Sequence, residues 1–166
     1  MKNDNLEEQF VEIYDELADA IFRHCFFRIS DRDKARDMMQ DTFMKTWQYL
    51  AKGGEIENMK AFLYRTANNL LIDEYRRKKT DSLDNMQENG FDVVGDKEDS
   101  IINLAEAKNA IAAMKELDDK SREVITMRFV DDLGPQEIAT ITGESENVIS
   151  VRLHRGLKKL KEIIER

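Results

Sequence analysis

One cysteine, Cys25, and two histidines, His24 and His154, leave this chain no internal disulfide and no Cys/His cluster at zinc-ligand spacing. Disulfide and metal frameworks are therefore excluded as the basis of its fold. No apolar run approaches the roughly 20 residues needed to cross a bilayer. The opening MKNDNLEEQF also lacks the basic-then-apolar order of a secretory signal. These absences predict a cytoplasmic protein with no membrane insertion. No phosphate loop, no nucleophile beside a base and no metal set appears, so the sequence points to neither an enzyme nor a bound cofactor. There is no internal repeat, no strand-like alternation and no cysteine- or glycine-periodic tract.

What remains is a chain of 166 residues, 41% hydrophobic and 36% charged, enough for one medium domain or two small ones. Its net charge of −8 argues on its face against nucleic acid, because DNA binders usually gain affinity by neutralising phosphates. The distribution alters that reading. Positive charge gathers in Arg76, Arg77, Lys78 and Lys79 and again in Arg152, Arg155, Lys158, Lys159 and Lys161.

Apolar residues recur at three-to-four spacing through most of the chain. Leu6, Phe10, Ile13, Tyr14, Leu17, Ile21 and Phe22 predict a first helix to about Arg28, broken at Ser30 and Asp31. Cys25 and His24 read as buried structural residues of that helix. A second helix spans about Arg32 to Leu50, with Ala35, Met38, Met39, Phe43 and Leu50 inward, and ends at Gly53 and Gly54. Asn58 can cap a third, which carries Phe62, Leu63, Ala67, Leu70, Leu71 and Tyr75 and ends in the basic run. From Thr80 to Asp99 the periodicity fails and seven acids face one base, Lys97, as in a solvated acidic linker.

Beyond it, Ser100 is expected to open a helix with Ile101, Leu104, Ala105, Ile111 and Met114, and Ser121 to cap a short one with Val124, Ile125 and Phe129 inward. Pro135 suits a first helical turn, Gly143 ends that helix, and Ser145 starts a last one to Ile164. The predicted fold class is all-α: two small helical domains, residues 1–79 and 100–166, joined by an acidic linker, 80–99.

Three constellations carry functional readings. PQEIATITGESENVISVRLHRG, residues 135–156, has the order of a helix-turn-helix: a short helix, a tight turn, a longer helix. Ala139 is small where the two helices cross, and Ile138 and Ile149 would pack the crossing. Ser145, Glu146, Asn147, Ser150, Arg152, His154 and Arg155 would face outward, Arg152 and Arg155 being the best candidates to enter a major groove. Thr142 and Glu144 stand where such cores usually carry aliphatic side chains. An ordinary helical hairpin with a solvated basic face is the competing reading.

FLYRTANNLLIDEYRRKK, residues 62–79, places Asn68 and Asn69 in mid-helix, where their side chains compete with the backbone. They suggest hydrogen bonding to a base edge or, alternatively, a tertiary contact. Tyr64 and Tyr75 beside the arginines would suit stacking on single-stranded bases. Asp37, Gln40 and Asp41 share one face of the second helix as an acidic stripe. That stripe is either a docking surface with Trp47 as its anchor or a solubilising face with Trp47 in the core.

DKARDMMQDTFMKTW at 33–47, the 62–79 segment, SREVITMRFVDDLGPQEIATITG at 121–143 and NVISVRLHRGLKKLKEII at 147–164 together resemble extracytoplasmic-function sigma factors of the sigma-70 family, in order and spacing. The resemblance implies a sigma region 2 domain whose Asp37, Gln40 and Asp41 match the surface that docks on the RNA polymerase core. Asn68, Asn69, Tyr75, Arg76 and Arg77 match the part that recognises and opens the start-proximal promoter element. A sigma region 4 domain would follow, with Ser150, Val151, Arg152, His154 and Arg155 matching the residues that face the upstream promoter element. The family often has Lys-Ser-Arg where Ser150, Val151 and Arg152 stand, and Leu-Pro where Leu117 and Asp118 stand. Promoter DNA, core polymerase and an anti-sigma factor are the implied partners. A linker of about 20 residues reaches on the order of 65 Å when extended, enough to serve two separated promoter elements. The alternative function is a polymerase-independent helix-turn-helix regulator.

Overall fold

A computed structural model describes residues 2–81 and 101–166. The two compact units divide between Gln87 and Glu88. Most of the expected acidic linker and the helix start at Ser100 lie outside the described residues. All regular structure among the described residues is helical.

The first unit contains α1 (Lys2–Ile29), α2 (Arg32–Ala51) and α3 (Met59–Asp81). Ser30, at φ 57°, breaks α1, and Asp31 then caps α2 by accepting the Lys34 N–H at 3.1 Å. Gly53 turns the chain with φ 89°, and Asn58 Oδ1 accepts the Ala61 N–H at 3.0 Å to start α3, as the sequence predicts. Ile21, Cys25, Ala35, Phe43, Leu63, Ala67 and Leu71 form the core. Thr42 and Thr46 join it because their hydroxyls donate to the carbonyls of Met38 and Thr42 one turn back, at 2.7 and 2.8 Å. At one end Phe10 and Tyr14 of α1 pack on Phe43 and Trp47 of α2, with the Phe10 and Trp47 ring centroids 5.1 Å apart.

The second unit contains α4 (Ile101–Lys115), α5 (Asp119–Ile125), a π-helical turn (Thr126–Val130), α6 (Pro135–Thr142) and α7 (Glu146–Ile164). Asp118, not Ser121, caps α5: its carboxylate accepts the Ser121 N–H at 3.2 Å. The π-helical turn was not legible in the pattern. Its extra residue turns Thr126 and Met127 inward and leaves Phe129 58% exposed, contrary to the expected apolar register. The Arg128 guanidinium covers that ring at 5.7 Å.

Arg122 ties α5 to the end of α4. Its guanidinium donates to the carbonyls of Met114 at 2.9 Å, Lys115 at 2.9 Å and Leu117 at 2.6 Å, supplying partners that a helix C-terminus lacks. Pro135 opens α6, Gly143 closes it at φ 75°, and the Ser145 hydroxyl accepts the Val148 N–H at 3.2 Å. Ile138 and Ile149 are fully buried, as the helix-turn-helix reading requires. Ala139 is half-buried, and α7 approaches α5 closely at Gly156, where a Cβ would lie 2.8 Å from Ile125 Cδ1 and 3.4 Å from Ser121 Cβ.

Two predictions follow from this packing. Gly156→Leu should cost about 1–3 kcal/mol by overpacking the α5–α7 crossing. Gly156→Ala should cost much less, because the end of Ile125 can rotate and alanine favours the helix by about 1 kcal/mol; urea denaturation distinguishes the two. At Asp118, the Ser121 hydroxyl above all holds the carboxyl below its ordinary pKa, with the Ser121 N–H and the Lys159 charge assisting against partial burial. The lowered folded pKa makes the stabilisation complete above the unfolded value of about 3.9. It is lost as pH falls through the folded value. Asp118→Ala should cost about 1 kcal/mol near neutrality, with the gap to wild type closing in acid melts.

Candidate nucleic-acid and docking interfaces

Helix α3 separates the predicted promoter-reading residues into two groups. Asn69, Arg76 and Arg77 are exposed. Asn68 is turned inward and 4% exposed, where its Oδ1 accepts from Arg28 Nη1 at 2.9 Å. Arg28 itself is 4% exposed, and a buried guanidinium requires acceptors. The tertiary reading of Asn68 therefore replaces the base-edge one. Tyr75 is half-buried, donates its hydroxyl to the Arg28 carbonyl and lies 5.7 Å under the Arg28 guanidinium. Tyr64, at 1% exposure, is a core residue packed edge-on against His24 and cannot stack on bases. The missed residue is Arg28: a cation in helical register with the apolar residues Ile21 and Cys25 was the available signal.

On α2, Asp37, Gln40 and Asp41 lie exposed along one face. Trp47 lies at the edge of this face, half-buried with its ring against Phe10. Met44, 58% exposed and one turn beyond Gln40 and Asp41, continues the stripe instead. Asp37 and Asp41 also border a cleft of about 400 Å³ between α2 and α3, floored by Met38 and Leu70. Its inner wall includes Glu74, 7% exposed, which accepts from Lys34 Nζ at 3.3 Å and from Arg77. Arg77 is thus held back along α3 toward the cleft.

In the second unit, Ile149, Leu153 and Gly156 form the buried face of α7. Opposite them, Ser150, Val151, His154 and Arg155 are exposed, as predicted. Arg152 stands at the margin: its side chain is 21% exposed and donates to Glu144 in the helix-turn-helix turn. Lys120 Nζ of α5 lies 4.0 Å from the other oxygen of Glu144. Glu144 thus has a structural role at the position where an aliphatic residue is more usual. A second cleft of about 400 Å³ between the start of α5 and α7 is lined by Lys120, Asn147, Val148, Val151, Arg152 and Arg155, among others.

The different placement of two neighbouring asparagines is directly measurable. Asn68→Ala should destabilise the protein by about 1–3 kcal/mol, since it leaves a buried charged donor without its acceptor. Asn69→Ala should stay within about 0.5 kcal/mol, as exposed substitutions do. Chemical denaturation of the two variants checks the pair.

Comparison with known proteins agrees with this division of the chain. Residues 13–80 match the family Sigma-70 region 2, and residues 108–160 match Sigma-70, region 4. The ECF RNA polymerase sigma factor SigW of Bacillus subtilis is 26% identical over 166 aligned residues, covering 94% of this chain and 89% of SigW. The ECF RNA polymerase sigma factor SigL of Mycobacterium tuberculosis is 28% identical over 154 residues, covering 90% and 85%. Among solved structures, the sigma factor RpoE in complex with the anti-sigma factor NepR, from Bartonella quintana, shares the fold with a TM-score of 0.80 at 21% identity, covering 95% of this chain and 98% of RpoE. CnrH in complex with the cytosolic domain of CnrY gives 0.72 at 21% identity, covering 96% and 89%. With both regions present in order and relatives of one kind along nearly its whole length, the chain belongs to the sigma-70 family of RNA polymerase sigma factors, in its extracytoplasmic-function branch.

Proposed function

We propose that this sigma factor directs bacterial RNA polymerase to its promoters through two separate grips, residues 1–79 on the polymerase and the start-proximal element and residues 100–166 on the upstream element. The observation that carries the reading is the joint presence of region 2 and region 4 on one chain. An exposed acidic stripe on α2 supports the docking role of Asp37, Gln40 and Asp41, with Met44 adding apolar area beside them. Asn69 and Arg76 are the α3 residues best placed to meet DNA, with Arg77 adding charge at the same helix end. Tyr75 and Asn68 support that face from within.

Promoter opening on this reading is binding work. Unstacked bases exchange their neighbours for protein contacts, and no group of the protein need act as acid, base or nucleophile. Residues 80–99 act as a tether long enough to let the two grips reach separate elements. The protein would work in the cell interior beside its polymerase. An anti-sigma factor is a natural further partner, since RpoE is solved with the anti-sigma factor NepR and CnrH with the cytosolic domain of CnrY. A self-sufficient helix-turn-helix regulator would have no use for the α2 stripe.

Run-off transcription with sigma-free core polymerase and a promoter library tests the reading. Protein-dependent start sites are expected. An Asp37/Gln40/Asp41 triple-alanine variant should lower their yield roughly tenfold or more, as loss of a docking hot spot does. Binding to core with no start sites would instead favour a regulator or adaptor.

A further inference from the structure

Two observations on α7 bear on which bases the upstream grip reads. The first is the withdrawal of Arg152. Its guanidinium pairs with Glu144, its side chain is only 21% exposed, and Lys120 shares the same carboxylate. Drawing Arg152 out to a base edge would cost Glu144 its nearer cation and leave Lys120, 4.0 Å away, to balance a carboxylate close to DNA, which is electrostatically unfavourable. Arg152 is therefore a positioning residue that fixes the start of α7 against the preceding turn.

The second observation is apolar. Val151 is 42% exposed and Val148 41% exposed, although the helix has a fully formed buried face elsewhere. Residues 147, 151, 154 and 158 fall at helical spacing along the side opposite Ile149 and Leu153, and Val151 is exposed there at the rim of the α5–α7 cleft. Asn147, His154 and Lys158 share that row, and Arg155 flanks it. An exposed aliphatic side chain thus sits among polar and cationic groups on this face of α7.

In the major groove the only apolar group on a base edge is the thymine C5-methyl. We infer that Val151, supported by Val148, reads the upstream promoter element by packing against a thymine methyl, with Arg152 held out of base contact by Glu144. This specificity rests on the proposed promoter-binding role of α7 and narrows it to a defined atom of the DNA. Arg155 and Lys158 supply the charge that brings the helix to the groove, and they do not discriminate thymine from cytosine by this route.

The test uses full-length protein, core polymerase and a promoter recovered from the run-off library. Each upstream-element thymine, on either strand, is replaced singly by uracil, which removes the methyl and leaves the base-pair hydrogen bonds intact. Binding of the holoenzyme carrying the wild-type protein should weaken roughly fourfold on a promoter substituted at one or more of these positions, the effect of losing a buried methyl-sized group. With Val151→Ala the thymine and uracil templates should bind equally at that position. Val151 is exposed, so the variant is expected to fold, and a matching melting curve verifies it. A promoter insensitive to every replacement would overturn the inference, as would unchanged methyl sensitivity in the folded Val151→Ala variant. Complete absence of protein-dependent start sites would remove the promoter-binding reading and this inference together, so the two failures are distinguishable.

Discussion

Arg28 sets the arrangement of the first unit, because a guanidinium taken out of water must be supplied with acceptors or the fold loses several kcal/mol. From α3, two helical turns apart, Asn68 accepts from Arg28 Nη1 and the Tyr75 ring lies under the guanidinium, while Tyr75 returns a hydrogen bond to the Arg28 backbone. The end of α1 is thereby fastened along α3. Since a helix presents one face at a time, committing Asn68, Leu71 and Tyr75 inward decides that Asn69 and Arg76 point outward. The same contacts that stabilise the helical bundle thus select which α3 residues are exposed.

The second unit reaches a comparable result by backbone means. Arg122 satisfies the last carbonyls of α4, Asp118 caps α5, and the π-helical turn after α5 redirects Phe129 to the surface. Gly156 then lets α7 approach α5 where a side chain would collide with Ile125. These features fix the helix-turn-helix on a rigid base. A recognition helix needs that rigidity, because displacement of about 1 Å separates a base contact from none.

Charge is used locally in both units. A total of −8 coexists with basic helix faces because carboxylates also act as fixed partners for particular cations. Glu74 holds Lys34 and Arg77 beside the α2–α3 cleft, and Glu144 holds Arg152 with Lys120 nearby beside the α5–α7 cleft. Each pairing lowers the number of cations directed outward and orders those that remain. Such half-buried pairs contribute more to geometry than to net stability.

By itself, the sequence determined the helical class, the positions of most caps and turns, and the family, because these depend on period, short-range hydrogen bonding and motif order. Asp31, Asn58, Gly143 and Ser145 act where a local reading places them, since each bonds or turns within a few residues. It could not say which of Asn68 and Asn69 faces outward, whether Trp47 anchors a partner or packs on Phe10, or that Arg152 is occupied. Those outcomes rest on contacts with residues such as Arg28, Phe10 and Glu144, which neither period nor composition couples to them. The π-helical turn belongs to the same group: one extra residue in a turn shifts every later side chain by about 100°, and only the packing of Thr126 and Met127 into the core decided where that shift would fall.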